Sequence, residues 1–98
     1  MLTKTPAKKG GTTKVTIELP AEYAGEEVCL CGEFNSWAPN ATPMTKRKDG
    51  RFSATLTLQQ GQSYRYRYLV DGERWVDDPQ PDEFVDNGYG SKDSVVTV

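Results

Sequence analysis

Two tryptophans and an arginine are the residues here best equipped to hold a ligand. Trp37 ends the stretch Cys31-Gly32-Glu33-Phe34-Asn35-Ser36-Trp37, in which a strand-like run stops at Gly32 and the chain turns at Asn35-Ser36. An indole in so polar a loop either plugs the end of the core or is held out to stack on a ligand. Trp75 poses the same alternative just after the turn signal Asp71-Gly72, and Arg67 lies on the strand that leads into that turn. A two-residue loop would pair Val70 with Glu73, Leu69 with Arg74 and Tyr68 with Trp75. That register puts Trp75 on the Tyr68 side and Arg67 on the other. A bulge at Glu73-Arg74 would slip the register by one and bring Trp75 and Arg67 to one face.

Residue sets that could break or form bonds are hard to find. The chain has no histidine, which removes the commonest general base and the commonest metal ligand. No GxSxG or P-loop pattern occurs. Asp77-Asp78 is an acidic pair of the type glycosidases use. Adjacent carboxylates rarely converge on one bond, however, and a pair ahead of Pro79 reads as a solvated turn. Cys29 and Cys31 lie i and i+2 on one strand with parallel side chains, a poor geometry for a disulfide. With no further ligands nearby they are also a poor zinc site. They read as reduced thiols, and a cytoplasmic setting is expected. No cofactor is implied.

The elements that must position these residues are short strands. Lys14–Leu19 alternates polar and apolar, and Pro20 stops it. Val28–Cys31 is apolar or thiol on both faces and reads as a central, covered strand. Met44–Lys48 reads as a charged edge, joined by Asp49-Gly50, a two-residue type I′ signal, to the run Arg51–Leu58. There Phe52, Ala54, Leu56 and Leu58 should face inward. Ser63–Val70 follows, with Tyr64, Tyr66, Tyr68 and Val70 on one face and Arg65, Arg67 and Leu69 on the other. After Glu73–Val76 comes a loop from Asp77 to Lys92, then a closing strand from Asp93 to Val98. The expected fold is all-β, an immunoglobulin-like sandwich of seven to eight antiparallel strands.

The chain has 98 residues and a net charge of −2. Residues 1–13 lack periodic apolar positions and read as a disordered basic tail ahead of a single domain, 14–98. Residues 1–14 carry four lysines and no acid, so the rest carries −6. An acidic body argues against nucleic acid as partner. No apolar run approaches the ~20 residues of a membrane span and no charged-then-apolar stretch of secretory type is seen, so an intracellular setting is expected.

One resemblance draws these observations together. Val28–Trp37 reads V-C-L-C-G-E-F-N-S-W. It is followed in order by Tyr66-Arg67-Tyr68-Leu69-Val70-Asp71-Gly72, Trp75, Asp77-Asp78-Pro79 and Gly90–Val96. Over roughly residues 14–98 this resembles the family-48 carbohydrate-binding module. Its members include the glycogen-binding domain of AMP-activated kinase β subunits and the early-set domain preceding the barrel of isoamylases and branching enzymes. The resemblance implies an early-set, immunoglobulin-like sandwich that binds α-1,4-glucan such as glycogen or starch without catalysis. It makes Trp37 and Trp75 the stacking rings and Arg67 the basic partner. The closing loop's contributors would be Tyr89, Ser91 and Asp93. Asp93 stands where the family has an amide, so it could accept from a hydroxyl but not donate. The resemblance also implies the bulge near Glu73.

A Trp face suits the C–H side of a glucose ring, and a guanidinium fork suits vicinal hydroxyls. Two or three rings on a shallow face imply weak binding, ~10–1000 μM, raised by avidity on a polymer. The alternative is a structural module that packs in trans on a glucan-metabolising enzyme.

Overall fold

The structure, a computed structural model, describes residues 2–6, 10–88, 90 and 92–98. Nine strands occur among the described residues: β1 (Leu2–Pro6), β2 (Thr12–Leu19), β3 (Val28–Gly32), β4 (Thr45–Lys46), β5 (Phe52–Gln59), β6 (Ser63–Val70), β7 (Arg74–Val76), β8 (Glu83–Asp86) and β9 (Lys92–Thr97). They form two antiparallel sheets, β1-β2-β5-β4 and β3-β6-β9-β8, with β7 beside β6. Among the described residues, helix is confined to 3₁₀ turns at Ala21–Tyr23 and Glu33–Asn35. The fold is an all-β sandwich. Among the described residues no helix is long and apolar enough to cross a membrane.

Period-two alternation builds the core. Val15, Ile17, Leu19, Phe52 and Leu58 come from one sheet, and Val28, Leu30, Tyr66, Tyr68, Val70 and Val96 from the other. All eleven are buried, so one face of each sheet is turned to its partner.

Three expectations about the strands need correction. The N-terminal segment is not an unstructured lead-in through residue 13: Leu2–Pro6 pairs with β2, from Leu2 opposite Ile17 to Pro6 opposite Thr13. Leu2 packs on the core, and the Lys4 ammonium reaches Asp82 at 2.5 Å. The strand's other side chains are exposed, which is why it reads as a tail. β8 is a second strand the sequence reading leaves as loop. β3, expected to be central, is the edge of its sheet. Its outer side is covered because Leu30 N–H donates to the Thr42 carbonyl and Met44 N–H to the Val28 carbonyl, each at 2.8 Å.

Both Asp-Gly turns carry one residue more than expected. At Asp49-Gly50, Arg47 N–H donates to the Arg51 carbonyl (2.6 Å) and Gly50 N–H to the Arg47 carbonyl (3.0 Å). Gly50 has φ +91° and Asp49 is not left-handed, so the loop has three residues rather than a two-residue type I′ turn. At Asp71-Gly72 both φ values are positive, +54° and +68°, and Glu73 N–H closes the turn on the Val70 carbonyl at 3.1 Å. Yet the ladder sets Val70 against Arg74, Leu69 against Trp75 and Tyr68 against Val76. Glu73 is therefore an extra residue, and the simple two-residue register gives way to the bulged one.

Asp78 is the largest departure from the sequence reading. It is not a solvated turn residue; it is fully buried. β7 and β9 pair with the same side of β6, and Asp78 lies where β7 gives way to β9. The Tyr66 hydroxyl donates to its Oδ2 at 2.6 Å. The Tyr68 proton is shared between that oxygen and the Glu18 carbonyl, both at 3.2 Å. Gln80 N–H donates to Oδ1 at 2.9 Å, and Asp78 N–H to Ser94 Oγ at 3.0 Å. The Tyr66 and Tyr68 hydroxyls are both pushed far above the usual tyrosine range, first by burial and then by Asp78. An unfolded chain releases these protons near pH 10 and the folded chain keeps them, so stability is full below pH 10 and falls above it. The expected loss is ~1.4 kcal/mol per pH unit per tyrosine, ~2.7 for the pair. Urea unfolding at pH 9, 10 and 11 checks this, and a Tyr66→Phe variant should show a shallower fall.

Candidate functional site

The loop after β3 is held from within. Asn35 Oδ1 accepts from Gly32 N–H at 3.0 Å, while its Nδ2 donates to the Leu30 carbonyl (2.8 Å) and to Thr42 Oγ1 (3.0 Å). Trp37 N–H closes onto the Gly32 carbonyl at 2.8 Å. Ser36 and Trp37 then take left-handed φ values of +57° and +59°. Two such non-glycine residues in succession store roughly 1–3 kcal/mol each, and the Asn35 clasp holds them there. Trp37 ends half-buried, neither a core plug nor fully free.

Gly32 is required for closeness rather than for backbone freedom. A Cβ at this position would lie 2.5 Å from the Arg65 carbonyl oxygen and 2.8 Å from the Phe34 ring. Gly32→Ala is expected to destabilise the fold by ~1–3 kcal/mol, with the midpoint of denaturant unfolding as the measure.

On the other side of the site, the bulge at Glu73 places Trp75 opposite Leu69 and hence on the Arg65/Arg67 face of β6. Trp75 is 43 % exposed. The Arg67 guanidinium carbon lies 5.8 Å from the centre of its ring, within cation–π range. Arg67 Nε also donates to Asp77 Oδ1 at 2.8 Å. The guanidinium is thus fixed by a ring and a carboxylate, and less of its freedom remains to be lost on binding.

Trp37, Arg67 and Trp75 line one open hollow of about 470 Å³, together with Glu33, Arg65, Asn87 and Asp93. Asp93 is nearly buried. Its Oδ2 is 3.8 Å from Arg65 and its Oδ1 3.4 Å from Asn87 Nδ2. Four of the six sequence-derived candidates therefore share one hollow; Tyr89 and Ser91 lie outside the described residues. Three lining residues escape the sequence reading. Arg65 had a usable signal, since it is two positions from Arg67 and shares its face. Glu33 sits inside the motif itself. Asn87 had no such mark. Charges in and beside the hollow nearly cancel, with Arg65 and Arg67 set against Glu33, Asp77 and Asp93. Tyr23 and Phe84 are also exposed aromatics, but neither lines this hollow.

A family model described as the glycogen recognition site of AMP-activated protein kinase matches residues 8–98. The chain belongs to this family of carbohydrate-binding modules. Relatives of this chain include the 5'-AMP-activated protein kinase subunit beta-2 of Homo sapiens and that of Mus musculus. Each is 38 % identical over 55 residues, which is 56 % of this chain and 19 % of the relative. The aligned part is thus about a fifth of the length of those subunits.

Proposed function

We propose that this chain binds α-1,4-glucan, of glycogen or starch type, by stacking glucose rings on Trp37 and Trp75, and that it does so without catalysis. Arg67 donates to vicinal hydroxyls and Asp93 accepts from one. Tyr89 and Ser91, which lie outside the described residues, are further candidates on the family pattern alone.

The observation that carries this reading is the half-exposed Trp75 ring packed against Arg67 in the hollow that Trp37 also lines. Such a site offers flat apolar faces and fixed polar groups with little net charge, which suits a neutral polyhydroxyl ligand better than a phosphate. Shallowness implies micromolar to millimolar affinity for a single oligosaccharide, with repetition along a polymer raising retention. Free thiols at Cys29 and Cys31 fit a reducing compartment such as the cytoplasm.

Titration with maltoheptaose, followed by tryptophan fluorescence and calorimetry, tests the reading. Saturable binding and retention on glycogen are expected; no signal at millimolar sugar would reject it.

A second reading follows from the relatives, which are named as kinase subunits. The chain would then associate with an enzyme in trans, such as a glucan-metabolising one. Co-purification with that enzyme in the absence of sugar is its test.

A further inference from the structure

The hollow that holds the two indoles does not end at Arg65. A smaller hollow of about 220 Å³ adjoins it, lined by Glu33, Ser63, Tyr64, Arg65, Glu83, Val85 and Val95. Glu33 and Arg65 line both. They form a waist on one continuous face of the β3-β6-β9-β8 sheet. Strand register shows why. Arg65 stands opposite Val95, and Val95 stands opposite Glu83 on its other side, so the three make one row across the sheet. Val85 stands opposite Asp93 in the next row. Arg67 is two residues from Arg65 on the same face, about 7 Å along the strand.

The groups along this strip alternate in kind. The Glu33 carboxylate is pinned, since its Oε1 accepts the Arg65 backbone N–H at 2.6 Å. The Arg65 side chain is 45 % exposed and touches Asp93 only at 3.8 Å. Glu83 is exposed. A donor fork between two acceptors matches sugar hydroxyls, each of which both donates and accepts. Val85 and Val95 supply an apolar floor.

We propose that the path of a bound glucan continues over the Glu33–Arg65 waist into the smaller hollow, forming a second, hydrogen-bonding subsite. Arg65 donates to hydroxyls of the sugar units beyond the indoles, and Glu33 and Glu83 accept from them. The subsite makes the module selective for longer chains. This rests on the glucan reading above, and the test separates the two.

Calorimetry with maltotriose and maltodecaose is run on the native chain, on Glu83→Ala and on Arg65→Gln. Glu83 is on the exposed edge strand β8 and lines the smaller hollow but not the one that holds the indoles, so its replacement should leave maltotriose binding unchanged. The same change should weaken maltodecaose binding about three- to tenfold, the effect of one or two net hydrogen bonds. Arg65→Gln should weaken maltodecaose at least as much. A longer sugar also gains affinity from its many equivalent registers, but both variants keep that gain. Equal maltodecaose affinity in the native chain and both variants would overturn the second subsite and leave the glucan reading standing. If the native chain binds neither sugar, the glucan reading falls and the subsite with it.

Discussion

Trp75→Ala is expected to weaken binding of maltoheptaose by roughly 5- to 150-fold while the module stays folded. The range corresponds to the ~1–3 kcal/mol that substitution of a stacking aromatic typically costs. Trp75 suits this test better than Trp37. It is 43 % exposed, on a three-residue strand at the margin of the sheet. Its removal should therefore cost at most about 1 kcal/mol of stability. Trp37 is half-buried and left-handed in its backbone, so a change there mixes lost stacking with relaxed strain and altered packing. Arg67 also loses the ring it packs against when Trp75 is truncated, and that loss belongs to the measured effect. Matched thermal unfolding of the variant, with affinity unchanged, would show that the ring takes no part in the site.

Asp78→Ala is expected to lower stability by ~3–5 kcal/mol, enough to unfold much of a small domain at room temperature. The change strands the Tyr66 hydroxyl, whose acceptor is Asp78, and weakens the hold on Tyr68, within a core from which water is excluded. Asp78→Asn should not rescue it well. One carboxylate oxygen receives the tyrosines and the other receives the Gln80 N–H. An amide must point its NH₂ at one of these donors. Urea unfolding of both variants is the measure. Native-like stability in Asp78→Asn would mean that the site needs only one acceptor oxygen.

The same two positions show how much of the molecule the sequence discloses. Alternation over 52–58 and 63–70 correctly assigns Phe52, Leu58, Tyr66, Tyr68 and Val70 to the interior, because burial on one face leaves a period-two trace. Asp78 leaves no such trace, since a carboxylate next to Pro79 looks like a turn. Its role was nonetheless inferable from its partners: two tyrosines assigned to the core need somewhere to send their hydroxyls. β1 was not inferable from its own residues. Thr3, Thr5 and Pro6 are exposed, and only pairing with β2 makes the segment a strand. The meeting of Trp37, Arg67 and Trp75 in one hollow was legible from the family pattern and illegible from local rules. Asp71-Gly72 announces the turn but not the residue that follows it unpaired.

That supernumerary Glu73 has a consequence for loop length. If Glu73 were deleted, Arg74 would follow Gly72 directly and stand opposite Val70 across a plain two-residue connection. Trp75 would still stand opposite Leu69, as it does now. Loss of Glu73 is therefore expected to leave the indole on the Arg65/Arg67 face, whereas pairing Glu73 with Val70 would turn it over.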